Sequence, residues 1–307
     1  MIDNYLTVGA IFRDEAPYLA EWISFHRLVG VDHFILYDNE SSDNPERVLQ
    51  PFISAGLVTL VPWPVPFHQK APHQAYADCL DRVRGKSRWL TCLDIDEFLF
   101  APQQPTLPPV LREFEFAAGV VVRWQVYGSS GHQHPLNEPV ISRFVRRAPT
   151  NWIRNRRTKS IVDPTRTLAP VSAHHFAFQD GVLAVDETKQ PIGLRPGRRF
   201  KKRLRPLYRM LGPVLRYFDP YARTDITSRI VSVNCLRINH YPIKSRAEFE
   251  HKARFKKKKK RYDGVDYFAY HDRNEVHDPI LCRYMPALND FAAQVASEAE
   301  AGQHEQL

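Results

Sequence analysis

Apolar and polar positions change period several times over the first hundred residues. Leu6–Phe12 is a compact apolar run of strand length. Tyr18, Trp22, Phe25 and Val29 then recur at the spacing of a helix face, which Gly30 closes. Asp14 is placed to cap that helix, and Pro17 falls in its first turn. Phe34–Tyr37 reads as a second strand, Pro45–Ile53 as a helix stopping near Gly56, and Val58–Trp63 as a third strand. Ala75, Cys79, Leu80 and Val83 mark a third helix before Gly85, and Trp89–Leu93 is a fourth strand. This β-α-β-α-β-α-β order implies a mainly parallel α/β sheet with helices on both faces. Trp22, Phe25 and Trp89 are expected in its core.

Downstream the pattern is softer. Pro102–Pro109 is a proline-rich connection and Val110–Phe116 a short helix. Val120–Trp124 reads as a strand leading into the small-residue loop Tyr127–His132, which suits close approach of a ligand. Ile141–Val145, Ser160–Val162, His174–Phe178 and Val231–Tyr241 are further strand candidates.

The strand ends carry the chemistry. Trp89–Leu93 runs straight into Asp94-Ile95-Asp96-Glu97. On an extended chain, residues two apart share a face, so Asp94 and Asp96 are expected side by side. Paired, desolvated carboxylates need a cation or strong donors between them. A hard divalent cation carrying substrate phosphates suits that place. Asp-x-Asp spacing alone arises about once by chance in a chain this long. Its place at a strand end gives it weight, because ligands of such sheets bind beyond the strands' carboxyl ends. Arg13-Asp14-Glu15 and Asp38-Asn39 fall at two other strand ends. There is no Gly-x-Gly-x-x-Gly, and Gly85-Lys86-Ser87 is not a P-loop because Leu80 stands where Gly-x-x-x-x-Gly-Lys-Ser/Thr needs its first glycine, which argues against a dinucleotide dehydrogenase or a P-loop enzyme.

At 307 residues the chain can bury a full core. The net charge of +9 is local. Residues 195–209 hold eight Arg or Lys and residues 254–261 seven more; without those fifteen, 28 basic face 34 acidic residues. Leu204, Leu207, Tyr208, Leu211, Leu215 and Phe218 interleave with the first cluster at near-helical spacing. A basic amphipathic helix on an anionic membrane surface fits this, as does a solvated basic face. Nothing beyond the charge resembles a nucleic-acid module. No apolar run reaches transmembrane length, and the first residues lack a signal peptide's basic and apolar regions, so a cytoplasmic protein is expected, peripheral to the membrane at most. The four cysteines are scattered and read as reduced thiols.

The stretch from Arg13-Asp14-Glu15-Ala16-Pro17-Tyr18-Leu19 through Tyr37-Asp38-Asn39 is similar to the opening of family-2-like and family-92-like glycosyltransferases. Leu93-Asp94-Ile95-Asp96-Glu97-Phe98 resembles their metal-binding Asp-x-Asp segment. Gly128–His132, Lys159–Val162, Asn239-His240-Tyr241 and His271–Asp278 resemble later segments of the family. The resemblance spans about residues 5–290 and implies a GT-A fold, a nucleotide-diphosphate sugar donor, Mn²⁺ or Mg²⁺, and inversion at the transferred sugar. The acceptor would be a hydroxyl of a glycan or glycolipid. The GT-A domain would occupy residues 1–245 with the basic insertion at about 195–223, followed by a helical extension over 246–295 and a frayed tail over 296–307.

Within that frame Asp96 is expected as the main metal ligand, with Asp94 reaching the ribose or a metal-bound water. Arg13 suits the base or the diphosphate, and Asp38 a uracil-type N–H, unless it only opens the Asn39–Asp43 turn. His240 suits a third metal ligand, in competition with His174 and His175, and Lys244 the diphosphate. His132 is a candidate base for the acceptor hydroxyl, with Glu97, Asp272 and Glu275 as alternatives. Two rivals stand beside this reading. A nucleotidyltransferase would show a glycine-rich loop where Ala10-Ile11-Phe12-Arg13 stands, and a non-catalytic anion-binding protein would tolerate loss of Asp94 and Asp96.

Overall fold

The computed structural model describes residues 2–179, 184–192, 232–255, 261–262 and 265–291. The basic insertion, the lysine run 256–260 and the tail 296–307 lie outside them.

Strands β1 (Asn4–Phe12), β2 (His33–Asp38), β3 (Val58–Pro62) and β4 (Ser87–Cys92) alternate with helices α1 (Ala16–Leu28), α2 (Pro45–Ser54) and α3 (Ala71–Val83). There follow β5 (Glu97–Phe100), α4 (Pro108–Arg112), β6 (Gly119–Val126), α5 (Val140–Arg143), β7 (Arg146–Arg147) and β8 (Thr158–Val162). Further along come β9 (Thr167–Pro170), β10 (Phe176–Phe178), β11 (Ala184–Asp186), β12 (Arg237–His240), α6 (Arg246–Phe255) and α7 (Tyr267–His271); the described residues also hold three further two-residue strands and short 3-10 turns. The main sheet runs β3-β2-β1-β4-β8-β6-β12-β5, with β11 also on β6. This mostly parallel, Rossmann-like sheet between helices is the GT-A-type architecture expected above.

Direction decides where the site falls. β1 to β4 are parallel. β8 is antiparallel to both β4 and β6, so β6 regains the direction of β4, and β12 shares it. β5 returns antiparallel on β12, pairing Glu97 with His240. The carboxyl ends of β1, β2, β4, β6 and β12 and the amino ends of β5 and β8 therefore meet at one sheet edge.

The core lies on both faces. Trp22 and Phe25 of α1 pack with Phe34 and Phe98 on one side, and Cys79 and Leu80 of α3 with Tyr37 and Leu90 on the other. Trp22, Phe25 and Trp89 are fully buried, as expected; burying a side chain of Phe25's size stabilises by about 2–3 kcal/mol. Trp22 also donates its indole N–H to the Glu97 carbonyl at 2.8 Å.

Local departures have physical causes. Asp14 does not cap α1. It sits in the left-handed region at φ 53°, and its carboxylate accepts from the Ser42 amide and hydroxyl instead. Asp43 takes the Ala16 amide at 2.8 Å, which locks the ends of β1 and β2 together. Ile141–Val145 is not a strand. Val140–Arg143 forms a helical turn because the Glu21 carboxylate accepts from the Val140 and Ile141 amides at 2.7 and 3.0 Å, supplying partners that a helix start otherwise lacks. Of Val231–Tyr241, Arg237–His240 pairs as strand.

Candidate active site

β4 ends at Cys92 and the chain turns at once. The Glu97 amide donates to the Asp94 carbonyl at 3.0 Å, and the Asp94 amide to Glu97 Oε2 at 2.9 Å. Asp94 to Glu97 is thus a tight turn and not extended chain, so Asp94 and Asp96 do not share a strand face and take separate partners.

Asp94 Oδ2 lies 3.4 Å from Lys159 Nζ, and Tyr76 donates its hydroxyl to Asp94 Oδ1 at 3.5 Å. Lys159 is also 3.2 Å from Glu97 Oε2. Lys159 and Glu97 are shut in, whereas the Asp94 side chain is 46% exposed. Burial raises the Glu97 carboxyl and Lys159 opposes it. Burial also works against the Lys159 charge, but Asp94 and Glu97 outweigh it and hold the ammonium charged.

Asp96 faces the other way. Its Oδ1 is 3.4 Å from His240 Nε2 and its Oδ2 is 3.1 Å from Lys252 Nζ. Lys252 also lies 2.7 Å from Glu15 Oε1. Burial pushes the Asp96 carboxyl up, yet Lys252 and His240 hold it well below its usual range. Lys244 Nζ lies 3.9 Å from Glu15 Oε2 and 3.3 Å from the centre of the Tyr18 ring. Burial and then Lys252 push the Lys244 ammonium down to about 8. The Lys244 backbone is left-handed at φ 56°. That conformation costs on the order of 1–3 kcal/mol without glycine and is typical of functional positions.

A cavity of about 700 Å³ opens between α1, the Pro135–Pro139 segment and α6. Arg13, Glu15, Tyr18, Lys244, Glu248 and Lys252 are among its walls. The structure therefore brings Arg13, Asp96, His240 and Lys244 together at one edge. Asp38 stands at the end of β2, where its Oδ1 accepts the Ser41 amide at 3.0 Å and opens the turn. Arg13 is half exposed, 3.8 Å from Asp14 and 3.9 Å from Glu40.

The histidines separate. The His240 ring tilts against Trp124 at 4.2 Å, and its buried Nδ1 has no hydrogen-bond partner among the described residues. His174 packs edge-on against the same indole, binds the Thr158 carbonyl through Nδ1, and is pushed down to about 3 by burial. His175 is buried beside it. His132 donates Nε2–H to the Arg143 carbonyl at 3.0 Å, since a carbonyl can only accept.

The other candidate bases tie loops. Asp272 Oδ1 accepts the Ser129 amide at 2.7 Å, and Asn274 Oδ1 accepts the Ser130 amide at 2.9 Å. A Cβ on Gly128 would come within 2.4 Å of Asn274 Oδ1, so only glycine fits there. Glu275 pairs with Arg273.

Neighbouring ligands of a six-coordinate Mg²⁺ at about 2.1 Å lie roughly 3 Å apart. Asp96 Oδ1 and His240 Nε2, at 3.4 Å, fit two such positions. No group of three or more His, Cys, Asp and Glu side chains closes round a common point among the described residues. The remaining positions would belong to donor phosphates and water.

A model of Glycosyltransferase family 92 matches residues 7–192. A glycosyltransferase family 92 protein of Ricinus communis is 29% identical over 192 residues, 60% of this chain and 33% of that protein. The galactan β-1,4-galactosyltransferase GALS1 of Arabidopsis thaliana is 31% identical over 110 residues, 32% of this chain and 21% of that protein. The chain thus matches a third or less of the length of these relatives. Among solved structures, S. aureus TarS 1–349 is similar at a TM-score of 0.35 and 12% identity, covering 52% of this chain and 47% of that one. The chain belongs to glycosyltransferase family 92.

Proposed function

We propose that the chain transfers a sugar from a nucleoside-diphosphate sugar to a hydroxyl of a glycan or glycolipid, with inversion. The observation that carries this is the meeting of Asp96, His240, Lys244 and Lys252 beside the 700 Å³ cavity. The likeness to a galactan galactosyltransferase supports a glycan acceptor.

Asp96 and His240 would hold Mn²⁺ or Mg²⁺, which when bound neutralises charge developing on the departing diphosphate. Glycosyl transfer passes through an oxocarbenium-like state, so leaving-group stabilisation is a large part of the barrier. Lys244, held over Tyr18, presents a point charge to the diphosphate. Arg13 and Asp38 sit at strand ends suited to the nucleoside, and the open side of Asp94 to the ribose or a cation-bound water. His132, with Nε2–H committed to Arg143, keeps Nδ1 as the basic nitrogen that takes the acceptor's proton. A nucleotidyltransferase fits less well, because the β1–α1 connection presents Asp14 and Glu15 where phosphates would need backbone amides.

A thermal-shift screen of UDP-, GDP- and CDP-sugars with Mn²⁺ tests the donor class. One of them should raise the melting temperature, by about 2.7 kcal/mol of stabilisation at a hundredfold excess over Kd. No shift with any donor contradicts the proposal. No helix among the described residues is long and apolar enough to cross a membrane. Association with an anionic surface rests on residues 195–218, outside those described. Their deletion should weaken co-sedimentation with phosphatidylserine vesicles at low salt; equal pelleting would count against it.

A further inference from the structure

Asp96 has a nitrogen partner at each oxygen, and one of them, the Lys252 ammonium, is carried by a helix that walls the cavity. α6 starts on a capping box: the Glu248 amide donates to Ser245 Oγ at 3.3 Å, and the Ser245 amide to Glu248 Oε2 at 3.0 Å. Glu248 also takes the Tyr18 hydroxyl at 3.0 Å and the Arg143 guanidinium at 3.3 Å, which fixes the start of the helix on the cavity wall. One turn later Lys252 lines the same cavity. Its ammonium is 3.1 Å from Asp96 Oδ2 and 2.7 Å from Glu15 Oε1, and its side chain is 19% exposed.

A divalent cation between Asp96 Oδ1 and His240 Nε2 would therefore meet an ammonium on the other oxygen of the same carboxylate. Like charges so close in a poorly solvated place repel strongly. Two features give the ammonium somewhere to go. The lysine stem is flexible, and Glu15 holds the charge by a shorter contact than Asp96 does. The ammonium can leave Asp96 and stay at the cavity, beside Lys244.

We propose that Lys252 is a tethered competitor for the cation site: it neutralises Asp96 while the donor is absent, and yields that carboxylate when a divalent cation and a diphosphate arrive. Its charge, kept near by Glu15, then faces the diphosphate. Lys252 is thus a positioning residue that couples cation binding to donor binding. The inference rests on the donor and metal reading above.

Titration of the nucleotide-free protein with Mn²⁺, following free Mn²⁺ by electron paramagnetic resonance, tests it without any turnover. Lys252→Met should bind Mn²⁺ roughly tenfold more tightly than the intact protein, because one like charge beside the bound ion is gone. Lys252→Arg keeps the charge and should bind no more tightly than the intact protein. Lys252→Gln keeps a donor in the gap and serves where the methionine variant does not fold. Mn²⁺ binding that is equal or weaker in a neutral variant of unchanged melting temperature overturns the inference and identifies a plain structural ion pair. No Mn²⁺ binding by any form, with or without UDP, overturns the metal reading as well; measurable but equal binding overturns this inference alone.

Discussion

Asp96→Ala should lower sugar transfer by about 10³-fold or more and leave the fold intact. Loss of a group that stabilises transition-state charge removes several kcal/mol from catalysis. Asp96 is the carboxylate shared by His240 and Lys252, so no neighbour replaces it. The fold survives because Lys252 keeps Glu15 at 2.7 Å and is not stranded. Asp96 also contributes to the sheet edge through its carbonyl, which accepts the Tyr241 amide and is untouched by the change. Assays of transfer and of urea unfolding on the same preparation separate the two effects. Full activity would show that Asp96 is a turn residue only, as would be expected of a non-catalytic anion-binding protein.

Lys159→Met should act the other way, on stability first. It removes the cation between Asp94 and Glu97 and leaves Glu97, fully enclosed, without a counter-charge. Breaking a buried pair in this manner costs about 3–5 kcal/mol. The sign with pH follows from Glu97. Burial already raises its carboxyl above the ordinary value, and losing Lys159 raises it further. A group that binds its proton more tightly when folded stabilises below its unfolded pKa, and that contribution is lost as pH rises. The deficit should therefore be smallest under acidic conditions and grow towards neutrality. Urea midpoints of both proteins at pH 5 and pH 8 measure it. A deficit that shrinks as pH rises would contradict the burial argument.

The strand ends were legible because each rests on period and length alone. The order from β1 to β4 by itself places Arg13, Asp38 and Asp94–Asp96 at one edge. The partners of those residues were hidden for definite reasons. Lys159 lies in Thr158–Val162, where a lysine reads as a solvent-facing residue; it is buried because β8 is flanked by β4 and β6. Lys252 lies on a polar helix 156 residues from Asp96, and nothing in its neighbourhood marks it as buried. Ser245-x-x-Glu248 was a readable helix-start signal that would have fixed α6 and, one turn on, Lys252. Glu21 overrode the β-branched composition of Ile141–Val145 through a contact 120 residues away. The Asp94–Glu97 turn hid in the same way, since its bond from the Asp94 amide to the Glu97 side chain has no period.

Turnover of a nucleoside-diphosphate sugar at Asp96 is the step proposed for this chain. Proton NMR can follow the donor's anomeric signal, with the donor selected by thermal shift, Mg²⁺ in the buffer, and the intact protein beside Asp96→Ala. With the intact protein that signal should disappear and nucleoside diphosphate should be released, while the variant should leave the donor essentially unchanged. A donor that persists with the intact protein in the presence of a galactan or similar acceptor, or one consumed equally by Asp96→Ala, would contradict it.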